Sequence, residues 1–166
     1  AWGDWRPNRD FPAKLETIAG RIRRAGWRPG IWVAPLQVNM FTGLARYHQD
    51  LFLRDENGAL IIDEDCPDGP VLLLDFSLEK VCSRVHAWFA AMRRAGFELF
   101  KIDFLYDQYL RRAGTPSVPM GRMRFARRIF QTIRRAVGDD AHIVNCGGPK
   151  EAAIGLVDSS RASVDI

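Results

Sequence analysis

The chain is 166 residues long, 47% hydrophobic and 27% charged, with a formal net charge of +4. That is enough for one domain with a sizeable core, and it excludes a disordered polypeptide. No apolar run approaches the ~20 residues of a membrane-spanning helix, so no membrane partner is expected.

The opening Ala1-Trp2-Gly3-Asp4-Trp5 has no initiating Met and no signal-peptide pattern. It reads as an internal stretch of a longer protein, and with no targeting segment in view a cytoplasmic location is the expectation. Leu15, Ile18, Ile22 and Ala25 then form an apolar stripe at helical spacing, weakened by Gly20. Gly30-Ile31-Trp32-Val33-Ala34-Pro35 follows as a strand.

Between Gln37 and Gly69 the chain is polar and rich in turn residues, including Asn57-Gly58 and Pro67-Asp68-Gly69. Leu51–Leu53 and Ala59–Ile62 are expected to form a small hairpin within it. So long an excursion between a strand and the next helix points to function. Val71–Phe76 reads as a further strand ending in Asp75, and Ser77 as the N-cap of a helix carrying Leu78, Val81, Val85, Trp88 or Phe89, and Met92. Asp75 is as well explained by capping as by a site role.

Phe100-Lys101-Ile102-Asp103-Phe104-Leu105-Tyr106 is the most informative run. As a strand it puts Leu99, Lys101, Asp103 and Leu105 on one face and the apolar Phe100, Ile102 and Phe104 on the other. A third amphipathic helix follows through Phe125, Ile129, Ile133 and Val137. Then come a strand over His142-Ile143-Val144-Asn145-Cys146-Gly147 and a last one over Arg161–Ile166.

A weak repeat runs through these elements. Arg23-Arg24-Ala25-Gly26, Arg93-Arg94-Ala95-Gly96 and Arg134-Arg135-Ala136-Val137-Gly138 each end a helix and lead into an apolar strand. The glycines suit a helix C-terminus and the arginines its dipole. The Arg pairs, with Arg127-Arg128, are best explained as a solvated outer face, so no nucleic-acid partner is expected. Repeated helix-to-strand units predict a parallel α/β architecture. About five strands and three full helices fall short of the eight of each in a closed (β/α)8 TIM barrel. The expectation is therefore that residues 1–166 form a single partial barrel domain, in preference to a doubly wound open sheet.

Active groups of parallel β/α proteins gather at the C-terminal ends of the strands. Those ends hold Trp32, Asp75, Lys101 with Asp103, Cys146, and Arg161 with Asp165. Lys101 and Asp103 share a face, as do Arg161, Ser163 and Asp165. Two charges on an inner strand face are expensive to bury without a purpose, which favours a site. Two carboxylates flanked by cations and an aromatic ring suit cleavage of a glycosidic bond. Alone, Trp32 reads as core and Cys146 as an inert buried thiol. Asp158 and Asp139-Asp140 read as turn residues. Cys66, Cys82 and Cys146, with the scattered His48, His86 and His142, give neither paired disulfide spacing nor a zinc pattern.

Taken in order, several segments resemble the catalytic barrel of α-galactosidases of glycoside hydrolase family 36 and its clan partner family 27. They are Gly3-Asp4-Trp5 with Phe11-Pro12, Gly26 to Pro35, His48-Gln49-Asp50 with Glu56-Asn57-Gly58, Leu74-Asp75-Phe76-Ser77, Phe100–Tyr106, Cys146-Gly147-Gly148-Pro149, and Gly155-Leu156-Val157-Asp158 leading to Arg161 and Asp165. The resemblance implies a retaining α-glycosidase acting on an oligosaccharide or glycoside, with no metal and no organic cofactor. By similarity Asp103 is the nucleophile and Asp165, four residues past Arg161, the general acid/base. Lys101, Cys146 and Arg161 contact sugar hydroxyls, and Trp32 lines the pocket. Two features depart from the family. Its paired Asp motif has no counterpart here, and Ser163-Val164 stand where Gly-Pro usually precedes the acid/base.

An α-N-acetylgalactosaminidase or a galactosyl transferase on the same scaffold is the nearest alternative. A Schiff-base lyase using Lys101 is a different class, and Asp103 beside the amine counts against it by favouring the ammonium form. A non-catalytic sugar- or nucleic-acid-binding domain is the third. The sequence carries no signal for oligomeric state.

Overall fold

Three apolar runs, each following an Arg-Arg helix end, lie side by side. The computed structural model describes residues 3, 5, 7, 11–64, 66, 68–105 and 114–162. In it β1 (Gly30–Val33), β5 (Leu99–Ile102), β6 (His142–Asn145) and β7 (Ser159–Ser160) pair in that order, all parallel, into a four-stranded sheet. The helices α1 (Leu15–Arg24), α3 (Glu79–Arg94), α4 (Arg122–Val137) and α5 (Lys150–Ala153) alternate with these strands along the chain. The arrangement is α/β and consistent with part of a (β/α)8 barrel, and the sheet is not closed.

The helix stripes explain the packing. Val81, Val85, Phe89 and Met92 of α3 and Phe125, Ile129, Ile133 and Val137 of α4 are all at most 2% exposed. Phe89 stacks at a tilt on Phe100 of β5, and Phe76 meets Phe125 edge-on. The α1 stripe is only half covered: Leu15, Ile18 and Ile22 are intermediate and Ala25 is exposed.

The strand at Val71–Phe76 exists but belongs elsewhere. Only Val71–Leu73 (β4) is regular, and it runs antiparallel between β2 (Gln37–Asn39) and β3 (Ile62–Asp63) in a second, three-stranded sheet. It therefore adds nothing to the parallel count. A short, fully buried apolar run reads the same whether its neighbours are parallel or antiparallel. Near β2 lies a short helix α2 (Gly43–Tyr47), capped by the Thr42 hydroxyl, which accepts from Ala45 N. The small hairpin forms through the Arg54–Leu60 bridge, and Asp55 Oδ1 accepts from Asn57 N and Ala59 N across its turn.

Ser77 does not cap α3. The cap position falls on Leu78 without a side-chain bond, and the Ser77 hydroxyl accepts instead from Val118 N at 3.0 Å. Asp75, fully buried, accepts from Ser77 N at 2.9 Å and from Ser117 N at 2.8 Å. It ties the turn before α3 to the loop before α4. The last strand begins earlier than expected, at Ser159, and residues 163–166 lie outside the described set. Asp158 is part of this pairing and no mere turn residue, since its N donates to Ile143 O and its Oδ2 accepts from Ile143 N.

The arginine pairs need a similar revision. Arg24, Arg94 and Arg135 are exposed as expected, but the first member of each pair holds neighbouring backbone. Arg23 donates to Gly96 O and pairs with Glu98. Arg93 donates to Val137 O and Phe97 O and pairs with Asp140. Arg134 donates to Gly138 O, Ala141 O and Leu156 O and pairs with Asp158 at 2.6 Å. Each guanidinium at a helix end thus reaches the turn that follows the next helix of the parallel series. A planar fork of five donors suits several carbonyls and one carboxylate at once.

Candidate active site

Register decides which side chains meet. Trp32, Lys101 and Val144 are paired across β1, β5 and β6, with Ser159 beside Val144 on β7. The ladder continues past the regular strands: Asp103 N donates to Val33 O, Cys146 N to Ile102 O and Arg161 N to Asn145 O. Ala34, Asp103, Cys146 and Arg161 therefore stand side by side, one pleat above Trp32 and Lys101 and on the same face. Five of the six expected site residues converge at the C-terminal end of the parallel sheet. The sixth, Asp165, lies outside the described residues.

Asp103 is the centre of this group. It is 9% exposed, and both its oxygens are engaged. Trp32 Nε1–H donates to Oδ2 at 3.0 Å, and Lys101 Nζ lies 3.9 Å from the same oxygen. The Phe104 backbone N–H donates to Oδ1 at 2.9 Å, and the Cys146 thiol is a further donor. Burial is the largest single influence and pushes the carboxyl upward, but the indole, the amide, the thiol and the Lys101 charge together hold it below the usual carboxylate range. Asp103 is an anion at neutral pH. The same proximity acts in reverse on Cys146, whose thiol is pushed up by burial and by its bond to Asp103, with Lys101 and Arg161 partly opposing.

The backbone around Asp103 is unusual in two places that sequence reading did not single out for a role. Phe104 takes a left-handed φ of 55°, uncommon for an aromatic residue, and this turns its N–H back onto the preceding carboxylate. Gly147 has no room for a side chain: a Cβ there would stand 2.9 Å from Asp103 Oδ1 and 3.0 Å from Phe104 N. Gly148 is likewise filled, by Phe130 at 2.6 Å. The buried Asn145 side chain accepts from Gly148 N at 2.7 Å and donates to Gly148 O at 2.9 Å, fixing the turn that carries Cys146 and Gly147. The paired glycines were the available signal for this close approach. The Phe104 conformation left none.

Trp32 joins the site to the N-terminal stretch. Its ring centroid is 6.0 Å from that of Trp5, at a tilt of 59°, and 6.0 Å from that of Phe104, edge-on at 83°. Trp5 also has a left-handed φ, of 51°. Among the described residues, the two non-glycine positions with left-handed φ are the two aromatic neighbours of Trp32. No group of His, Cys, Asp and Glu that could hold a metal ion occurs among the described residues.

Known structures share this fold. No family model matches the chain. The α-galactosidase TtGalA of Thermus thermophilus, in complex with p-nitrophenyl α-D-galactopyranoside, superposes with a TM-score of 0.83 at 32% identity over 97% of this chain and 32% of its own. Its stachyose complex gives 0.81 at 31% identity over 97% and 34%. The family 36 α-galactosidase AgaA of Geobacillus stearothermophilus shares the fold, with a TM-score of 0.73 at 20% identity over 96% of this chain and 23% of its own. The chain thus spans about a third of the length of the Thermus structures. Over nearly its whole length the chain is thus similar to a part of these α-galactosidases.

Proposed function

We propose that this chain is a section of the (β/α)8 catalytic barrel of a retaining α-galactosidase that releases terminal α-linked galactose by double displacement. The observation that carries the reading is Asp103, buried yet ionised, in one row with Cys146 and Arg161 and directly above Lys101 and Trp32. The identity to an enzyme solved with an aryl α-galactoside and with stachyose supports the substrate class.

In this reading an Asp103 oxygen attacks the anomeric carbon of the bound galactoside. The bond to the leaving oxygen breaks as that oxygen takes the proton of Asp165, and a covalent glycosyl ester forms. Asp165, now a carboxylate, deprotonates a water that attacks the same carbon, frees Asp103 and leaves galactose with its configuration retained. Lys101, Cys146 and Arg161 face the sugar hydroxyls, and Trp32 lines the pocket. The remaining strands of the barrel belong to a longer protein. The lyase reading has against it the Lys101–Asp103 pair, in which Nζ lies 3.9 Å from Oδ2.

In the intact protein, Asp103→Gly should abolish turnover of an aryl α-galactoside, and azide should restore part of it by standing in for the missing carboxylate. Parental activity in that variant would overturn the assignment. A panel of aryl α-glycosides separates galactosides from N-acetylgalactosaminides, and added acceptor sugars reveal transfer.

A further inference from the structure

We propose that Trp32 is a positioning residue for Asp103, its indole N–H setting the orientation of the carboxylate, and that this, more than stacking on a sugar face, is what the ring does in the site. The inference rests on the reading of Asp103 as the nucleophile and deepens it.

The need for such a residue follows from the side chain itself. The terminal torsion of an aspartate is broad and roughly two-fold, so rotamer preference leaves the plane of the carboxylate poorly fixed. A nucleophile has to present an oxygen along one direction, and a displacement of about 1 Å can lower a rate by ~10²-fold. Asp103 is held by donors of unequal stiffness. Lys101 Nζ sits at 3.9 Å on a flexible stem that is 43% exposed. The Phe104 N–H grips only Oδ1. The Cys146 thiol is a weak donor to the carboxylate, and the strong, stiff N–H on Oδ2 is the Trp32 indole at 3.0 Å.

The indole is itself held firmly. Trp5 and Phe104 pack on it with centroids at 6.0 Å, one tilted and one edge-on. Both neighbours adopt the left-handed backbone, at φ 51° and 55°, which is costly at a bulky residue and persists only where the surroundings enforce it. Left-handed backbone at two residues packed on one ring, and at no other described non-glycine residue, marks that ring as the object being held. The polar edge of the ring is committed to the carboxylate, and Trp5 and Phe104 fix its plane from a tilted and an edge-on contact.

The test uses Trp32→Phe in the intact protein, which keeps an aromatic ring and removes only the N–H. The expected result is a kcat for an aryl α-galactoside lowered about 10–100-fold, with KM changed less than about threefold. The acid limb of kcat/KM should also move to higher pH. Lys101, Cys146 and Arg161, the other titratable or charged groups around Asp103, are unchanged in this variant. A platform role gives the opposite split, a raised KM at unchanged kcat, and that result overturns the proposal. A second readout needs no turnover: the Trp32 indole ¹H–¹⁵N signal should shift on Asp103→Asn, and a signal that stays put overturns the proposal as well. Asp103→Gly separates the two levels. If that variant is inactive while Trp32→Phe keeps the parental kcat and acid limb, only the positioning role falls. If it remains fully active, the nucleophile reading and the positioning role fall together.

Discussion

Gly147 and Asp103 approach so closely that a single methyl group would separate them: a Cβ on Gly147 would lie 2.9 Å from Asp103 Oδ1. The atoms it would meet are a bonded carboxylate oxygen and the Phe104 amide, neither of them the free end of a flexible chain. Gly147→Ala should therefore displace the carboxylate rather than unfold the protein. We expect kcat for an aryl α-galactoside to drop about 10²-fold with the circular dichroism and melting temperature close to the parent. A variant that turns over at the parental rate would show that Asp103 tolerates the shift.

Lys101 supplies charge where the other donors supply hydrogen bonds. Burial raises the Asp103 carboxyl, and the donors and Lys101 outweigh it. In Lys101→Met the balance moves back toward burial, so the acid limb of kcat/KM should move to higher pH. The stability linkage has the same sign. A carboxyl lowered in the folded state contributes above its unfolded value and loses that contribution as pH falls through the folded one. The variant should thus be less sensitive to acid unfolding than the parent, as a pH series of melting curves would show.

Cys146 should be slow to alkylate. Its thiol is raised by burial and by the Asp103 carboxylate, and only the thiolate reacts. Asp103→Asn removes the negative charge and should speed iodoacetamide labelling of Cys146 at pH 8, read by peptide mass analysis. An unchanged rate would mean that access alone limits the reaction.

Asp75 is a structural carboxylate. Its two oxygens take the amides of Ser77 and Ser117 in a fully buried position. Asp75→Ala leaves both amides without their acceptor, at about 2–6 kcal/mol in all. A large fall in melting temperature with KM unchanged at permissive temperature is the expected outcome. A change in KM alone would return Asp75 to the list of site residues.

The site was legible where a simple period governs it. Lys101 and Asp103 share a face because strand side chains alternate, and Cys146 and Arg161 fall in line because parallel neighbours keep register. What alternation does not encode is the partner. Val71–Leu73 is as apolar as a barrel strand, yet it pairs antiparallel with β2 and β3. Ser77 is a good cap by type, but the neighbouring Val118 amide takes its hydroxyl. The left-handed turn at Phe104 is imposed by tertiary contacts on a residue whose own preference opposes it, and so left no mark in the composition. The Arg-Arg pairs were visible as a repeat. Their function was not, because the acceptors are backbone carbonyls contributed by distant turns.

Those arginines bear on how the chain finds its fold. Arg23 reaches the turn after α3, Arg93 the last residue of α4 and Asp140 in the turn after it, and Arg134 the turn after α5. A unit docked one residue out of register would leave the preceding guanidinium, at Arg134 only 13% exposed, facing carbonyls at the wrong spacing. Each helix end is thus fitted to the unit that follows it, and the register of one joint is written into the side chain of the joint before.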